Sequence, residues 1–117
     1  MLMIRAIVRP ERVDKVLESL MIEGFPAVTK VSVSGRGKQR GIKIGDITYD
    51  EIPKELLIMV VPDGDKDLVI KTVMDAARTG DKGAFGDGKI FVSSVDEVYT
   101  VSSGIKETSS GIQEVAP

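Results

Sequence analysis

The chain has 117 residues, of which 42% are hydrophobic and 29% charged, a balance that suits one compact, water-exposed domain and excludes a disordered chain. Lys and Arg number 16 against 18 Asp and Glu, so the net charge of −2 gives no electrostatic ground for nucleic-acid or membrane-surface binding. With no Cys and no His, thiolate or imidazole metal sites, Cys–His dyads and Ser–His–Asp triads are excluded, and an enzyme is not expected. Aromatics are 4%, so the core must be aliphatic.

The longest purely apolar run, Leu56 to Val61, is too short to cross a bilayer, and charge and Pro10 interrupt the N-terminal apolar stretch before it resembles a signal peptide. The absence of Cys fits a reducing cytosol, so a cytoplasmic location without membrane insertion is expected.

In chain order, Met1 to Arg9 predicts an aliphatic strand, and Pro10 and Glu11 suit the start of a helix. Val13, Val16, Leu17, Leu20 and Met21 share one helical face, and Gly24 is a natural stop. Phe25 to Ser34 predicts a second strand. From Gly35 to Pro53 the chain is polar and lacks apolar periodicity, which predicts a long loop; a loop of that length in a small domain is usually functional or disordered. Leu56 to Val61 predicts a strand buried on both faces. Pro62 ends it, acid at Asp63, Asp65 and Asp67 opens a second helix, and Val69, Ile70, Val73, Met74 and Ala77 form its stripe up to Arg78 and Gly80. A strand at Ile90 to Val92 follows, with Val95, Val98, Tyr99 and Val101 continuing it or forming a further extended piece. Residues 105–117 are expected to be a flexible C-terminal tail.

The order β-α-β, long loop, β-α-β predicts an α+β, ferredoxin-like βαββαβ sandwich with both helices on one face of an antiparallel sheet. Its other face then has no cover within the chain, and a symmetric oligomer is a reasonable way to bury it.

Two segments carry the chemistry. In Gly86-Asp87-Gly88-Lys89 the glycines allow close backbone approach and an anion-binding nest, with Lys89 adding charge. Alone, an ordinary turn is the better reading, because Asp-Gly is a common hairpin signal. Gly35 to Gly41 places Arg36, Lys38 and Arg40 beside three glycines, as a phosphate ligand would favour, and a solvated loop root accounts for it equally well. It is not a Walker sequence, since no Gly-Lys-Ser/Thr follows. Asp63, Asp65 and Asp67 lack the spacing of a calcium loop, and a helix N-terminus explains them.

Taken together these segments resemble the nitrogen-regulatory PII signalling family over about residues 1–104. The resemblance is carried by Ile7-Val8-Arg9-Pro10, Thr29, Gly35 to Gly41, Pro53-Lys54, Val60-Val61-Pro62, Arg78-Thr79-Gly80 and Gly86 to Val92. It implies a homotrimer, or a mixed assembly with a second PII-like protein, with ATP or ADP in the clefts between subunits and 2-oxoglutarate joining Mg-ATP. By matching position, Thr29, Gly37, Lys38, Val60, Gly86, Asp87, Gly88 and Lys89 are implied to contact nucleotide. Gln39 is implied to coordinate the magnesium together with 2-oxoglutarate, and Lys54 to pair with the oxoglutarate carboxylate. Residues 38–52 match the family's T-loop, which docks on targets. Ile4 to Pro10, Gly35 to Gln39, Tyr49 to Lys54 and Val95 to Thr100 look like the nitrogenase-associated members of archaea and anaerobic bacteria, whose implied target is dinitrogenase.

Three departures stand out: a longer segment at Asp81 to Phe85, Thr100 and Ser102 where the family commonly has phosphate-binding arginines, and Ile58 in place of a glutamate near the adenine. They leave open an alternative, a PII-like scaffold or sensor with altered or lost ATP binding and a different target. A small enzyme on the same sandwich and a nucleic-acid binder are further alternatives, and the charge balance and few aromatics oppose the second.

Overall fold

The computed structural model describes residues 1–36, 42–44, 47–49 and 51–114. Strand β1 (Leu2–Val8) alternates by period two: Ile4, Ala6 and Val8 are buried while Arg5 between them is exposed. Pro10 opens a single 3-10 turn (Pro10–Arg12) that leads into helix α1 (Val13–Ile22), which buries Val13, Val16 and Leu20. Phe25 closes the helix by donating its N–H to the Leu20 carbonyl at 2.8 Å and packs its side chain against the core, so strand β2 begins only at Thr29 (Thr29–Gly35).

Two short strands, β3 (Ile42–Ile44) and β4 (Ile47–Tyr49), pair with each other inside the segment expected to be an irregular loop. Two brief alternating runs joined by Gly-Asp are a hairpin signal too short to stand out against the surrounding polar residues. Strand β5 (Ile52–Val61) starts four residues earlier than its aliphatic run, because β2 pairs it down to Gly35 opposite Ile52. Beyond Glu55 it has no β1 partner, which is where Pro53 is tolerated. A second 3-10 turn (Asp63–Asp65), helix α2 (Lys66–Ala77) and strand β6 (Gly88–Ser94) complete the unit.

The four-stranded sheet has the order β2-β5-β1-β6, and the pairs β2–β5, β5–β1 and β1–β6 are all antiparallel. With α1 and α2 joined to it through one apolar core, this is the ferredoxin-like α+β sandwich expected from the element order. The core unites Ile4, Ala6, Val8, Leu57, Met59 and Val61 of the sheet with Val13, Val16, Leu20, Val69, Val73, Ala76 and Ala77 of the helices. β5 is not buried on both faces. Leu57, Met59 and Val61 enter the core, whereas Leu56 and Ile58 are half-buried and Val60 is exposed, because no layer among the described residues covers the second face. Val31 and Phe91 share that open face and are exposed too.

The expected extension after β6 is a separate strand β7 (Glu97–Tyr99). Residues expected to form a flexible tail instead pair as β8 (Ile105–Thr108) and β9 (Gly111–Glu114), giving a three-stranded antiparallel sheet β7-β8-β9. Lys106 ties β8 to β7 through Glu97 at 2.6 Å and lies 5.9 Å from the Tyr99 ring centre. A Ser/Gly-rich composition hides these strands, since cross-strand pairing rather than local propensity holds them.

Candidate functional site

Gly86 to Lys89 stands where β6 meets the C-terminal end of β1, with Val8 opposite Gly88 and Ile7 opposite Lys89. Gly86 and Gly88 have φ of 90° and 124°. A Cβ on Gly88 would sit 1.7 Å from the Ile7 carbonyl oxygen, so only glycine fits. The turn thereby presses onto β1 and shares a cleft of about 450 Å³ with Ile7, Val33, Ser34, Gly35, Arg36, Ile52, Lys54 and Phe91. Two segments separated by some fifty residues of sequence are thus brought together with Lys54.

Lys54 donates its ammonium to the Gly86 carbonyl. Partial burial, and then the Arg9 guanidinium nearby, lower its pKa from 10.5, so the site disfavours a further cation and rewards an anion beside Lys54. Among the described lining residues the only carboxylate is that of Asp87, against the cations Arg36, Lys54 and Lys89.

Asp87 is already spent within the chain. Its carboxylate accepts from Arg9 Nε at 3.0 Å, Thr79 N–H at 3.0 Å, Thr79 Oγ1 at 2.6 Å and Ala84 N–H at 2.8 Å, and its own N–H donates to the Ala84 carbonyl at 3.2 Å. Arg9 also donates to the Phe85 carbonyl at 2.7 Å. Burial opposes ionisation of Asp87, but the Thr79 hydroxyl and N–H, the Ala84 N–H and Arg9 outweigh it and hold the carboxyl far below the usual carboxylate range. Expected among the nucleotide contacts, this carboxylate faces the protein. Arg9 and Thr79, which sequence reasoning left without a role, are its partners; no local pattern announces a pair 78 residues apart.

Of the other expected residues, Gly37, Lys38 and Gln39 lie outside the described residues, as do parts of the 38–52 loop. Thr29 and Val60 are not in this cleft. Thr29 pairs with Ile58, and Val60 lies six positions along β5 from Lys54, about 20 Å at 3.4 Å per residue. Thr100 and Ser102 are exposed at the β7–β8 connection, where the Gly104 N–H returns to the Thr100 carbonyl at 2.9 Å. Lys82 to Phe85 of the longer segment wall a second groove of about 920 Å³ against Ile70, Val73, Met74 and Ala77 of α2 and Ile90 and Val92 of β6. No helix among the described residues is long and apolar enough to cross a membrane.

The family model for nitrogen regulatory protein P-II matches residues 1–104. The chain belongs to the P-II family. Members are signalling proteins, with ATP or ADP and 2-oxoglutarate as their general regulatory ligands. The chain is 55% identical over 104 residues to the nitrogen fixation nifHD1 region GlnB-like protein 1 of Methanosarcina barkeri, covering 89% of this chain and 96% of that protein. It is 54% identical over 101 residues to the corresponding nifHD region protein of Methanococcus maripaludis, covering 86% and 93%. It is 42% identical over 103 residues to nitrogen regulatory protein P-II 2 of Methanothermobacter thermautotrophicus, covering 85% and 87%. The P-II match ends at residue 104, and β8 and β9 follow it.

Proposed function

We propose that this P-II protein is a non-enzymatic cytoplasmic sensor of adenine nucleotide and 2-oxoglutarate that regulates nitrogen fixation by binding nitrogenase. The observation that carries this reading is the convergence of Gly35 and Arg36, Lys54, and Gly86 to Lys89 on one cleft whose lone described carboxylate is internally consumed. A cation-rich pocket with backbone pressed close by two positive-φ glycines suits phosphate and carboxylate groups. Lys54 pairs with the effector carboxylate, Lys89 and the glycine backbone hold phosphates, and Gln39 with Gly37 and Lys38 completes the nucleotide and magnesium contacts. Gln39 would help hold magnesium, whose positive charge would favour phosphate and carboxylate groups beside it.

The separation of Thr29 and Val60 from the glycine turn supports a site built from two copies. In a trimer those residues meet nucleotide held by a neighbour's turn, and the open sheet face bearing Val31, Val60 and Phe91 is buried. The 38–52 loop docks on the target, with its population set by differential ligand affinity. The names of the nifHD region relatives, which place them with nitrogen fixation, support a target in that process, and dinitrogenase is the target proposed.

Titration calorimetry with Mg-ATP, with and without 2-oxoglutarate, tests the sensing role, and native mass spectrometry tests the trimer. Purified dinitrogenase should be inhibited by the protein and released by Mg-ATP with 2-oxoglutarate. Absence of heat with Mg-ATP would sink the sensing role and favour a second reading, a scaffold or altered sensor. Hydroxyls at Thr100 and Ser102 in place of cations are the feature that favours it; two lost charge-assisted contacts cost about 1.5–3 kcal/mol each.

A further inference from the structure

The Asp81 to Phe85 segment, longer than the usual link, ought to loosen the glycine turn that follows it, yet the turn is seated against β1. We propose that Asp87 is the positioning residue that makes this possible: its carboxylate gathers Arg9 at the end of β1, Thr79 after α2 and Ala84 in the longer segment, and so aims the Gly86 to Lys89 backbone at the ligand without touching it.

Each arm of the brace has a separate origin. Arg9 Nε reaches Oδ1 at 3.0 Å and extends a second nitrogen 2.7 Å from the Phe85 carbonyl, so one guanidinium grips both the carboxylate and the residue before the turn. Thr79 closes on both oxygens, through its hydroxyl to Oδ1 at 2.6 Å and its N–H to Oδ2 at 3.0 Å. Ala84 donates to Oδ2 at 2.8 Å and accepts the Asp87 N–H at 3.2 Å, folding the longer segment back on itself. Gly83 completes the wrap: its φ is 76°, and a Cβ there would press on Asp87 Oδ2 and Arg78 Cγ, both at 3.2 Å. The Asp87 side chain is only 18% exposed, so this carboxylate would be costly to bury without those donors. Its strongly lowered pKa agrees with four donors converging on it.

The inference rests on the nucleotide-site reading for its ligand, but the brace can be tested apart from it. Asp87→Ala, Asp87→Asn and Thr79→Val are compared with wild type by hydrogen–deuterium exchange and by Mg-ATP titration. We expect faster exchange confined to residues 79–89 with unchanged protection in β1 and β5, and Mg-ATP affinity weakened about ten-fold or more in Asp87→Ala, the scale of one charge-assisted bond. Asp87→Asn, which keeps an acceptor oxygen, should be intermediate. Exchange rising uniformly across the sheet, or Mg-ATP affinity within about two-fold of a wild type that does bind, overturns the proposal. If Asp87→Ala does not fold, Asp87→Asn and Thr79→Val give the same readings. If wild type binds no Mg-ATP, the nucleotide reading fails while the exchange pattern still decides the brace.

Discussion

Both halves of this chain run strand, proline, a 3-10 turn, an amphipathic helix and a positive-φ glycine, and they part company only after that glycine. In the first half Gly24 has nothing within 4 Å of where a Cβ would stand, and Phe25 immediately after it packs onto the core. In the second half Gly80 leads into five further residues that end at Phe85, which is 73% exposed, and the chain then presses Gly88 against Ile7. The same supersecondary unit is therefore finished once for packing onto the core and once as the braced glycine turn of the proposed binding site. The polar hydrogen bonds that a helix-to-strand link does not ordinarily need are concentrated around Asp87 in the second half.

The sharpest way to break this comparison is to put a side chain on each glycine. Gly88→Ala should destabilise by about 4 kcal/mol, combining overpacking against backbone with a strained φ, and should abolish nucleotide binding. Denaturant unfolding and calorimetry read the two effects. The phenylalanines come next. Phe25→Ala should cost about 2–3 kcal/mol, somewhat below a fully buried position, whereas Phe85→Ala should change stability by no more than about 0.5 kcal/mol. Equal losses in chemical denaturation would erase the distinction between the halves.

Acid should act mainly on the second half. The folded pKa of Asp87 lies below its ordinary value, so its stabilisation is fully present above the ordinary carboxylate range and is lost as pH falls through the folded value. Exchange protection of residues 79–89 should therefore fall below about pH 4 more steeply in wild type than in Asp87→Asn. Gly24→Ala should have a small effect, about 1 kcal/mol and far below that of Gly88→Ala, because its strain is purely conformational, as a modest drop in Tm would show. Lys54 offers a further check of the binding half. Its lowered pKa means that an anion bound beside it draws in a proton at alkaline pH, so 2-oxoglutarate affinity should fall as pH approaches 10.5. Calorimetry in buffers of different ionisation enthalpy measures that uptake.

The helices, the sandwich and the glycine turn were legible because they rest on local rules: apolar spacing of three and four, prolines at helix starts, and glycine at turns. The family resemblance also grouped Gly35 to Gly41, Lys54 and Thr29 with the turn; Gly35 and Lys54 line one cleft with it and Thr29 does not, and no spacing links positions so far apart. The start of β5 at Ile52 and the β3–β4 and β8–β9 pairings were not legible, and the open second face of the sheet followed from the layer order but not from the run of β5 itself. Each depends on which strand lies alongside, and a run such as Leu56 to Val61 reads the same whether its second face meets a partner or water.

By itself the sequence determined that this is a cysteine-free and histidine-free α+β domain of P-II type with two glycine-rich, basic segments. Only the tertiary structure decided which way the Asp87 carboxylate faces. A carboxylate between two glycines is equally suited to face a ligand or the protein. The choice is made by the donors that folding brings to it from Arg9, Thr79 and Ala84, since a poorly solvated charge settles where its hydrogen bonds are satisfied.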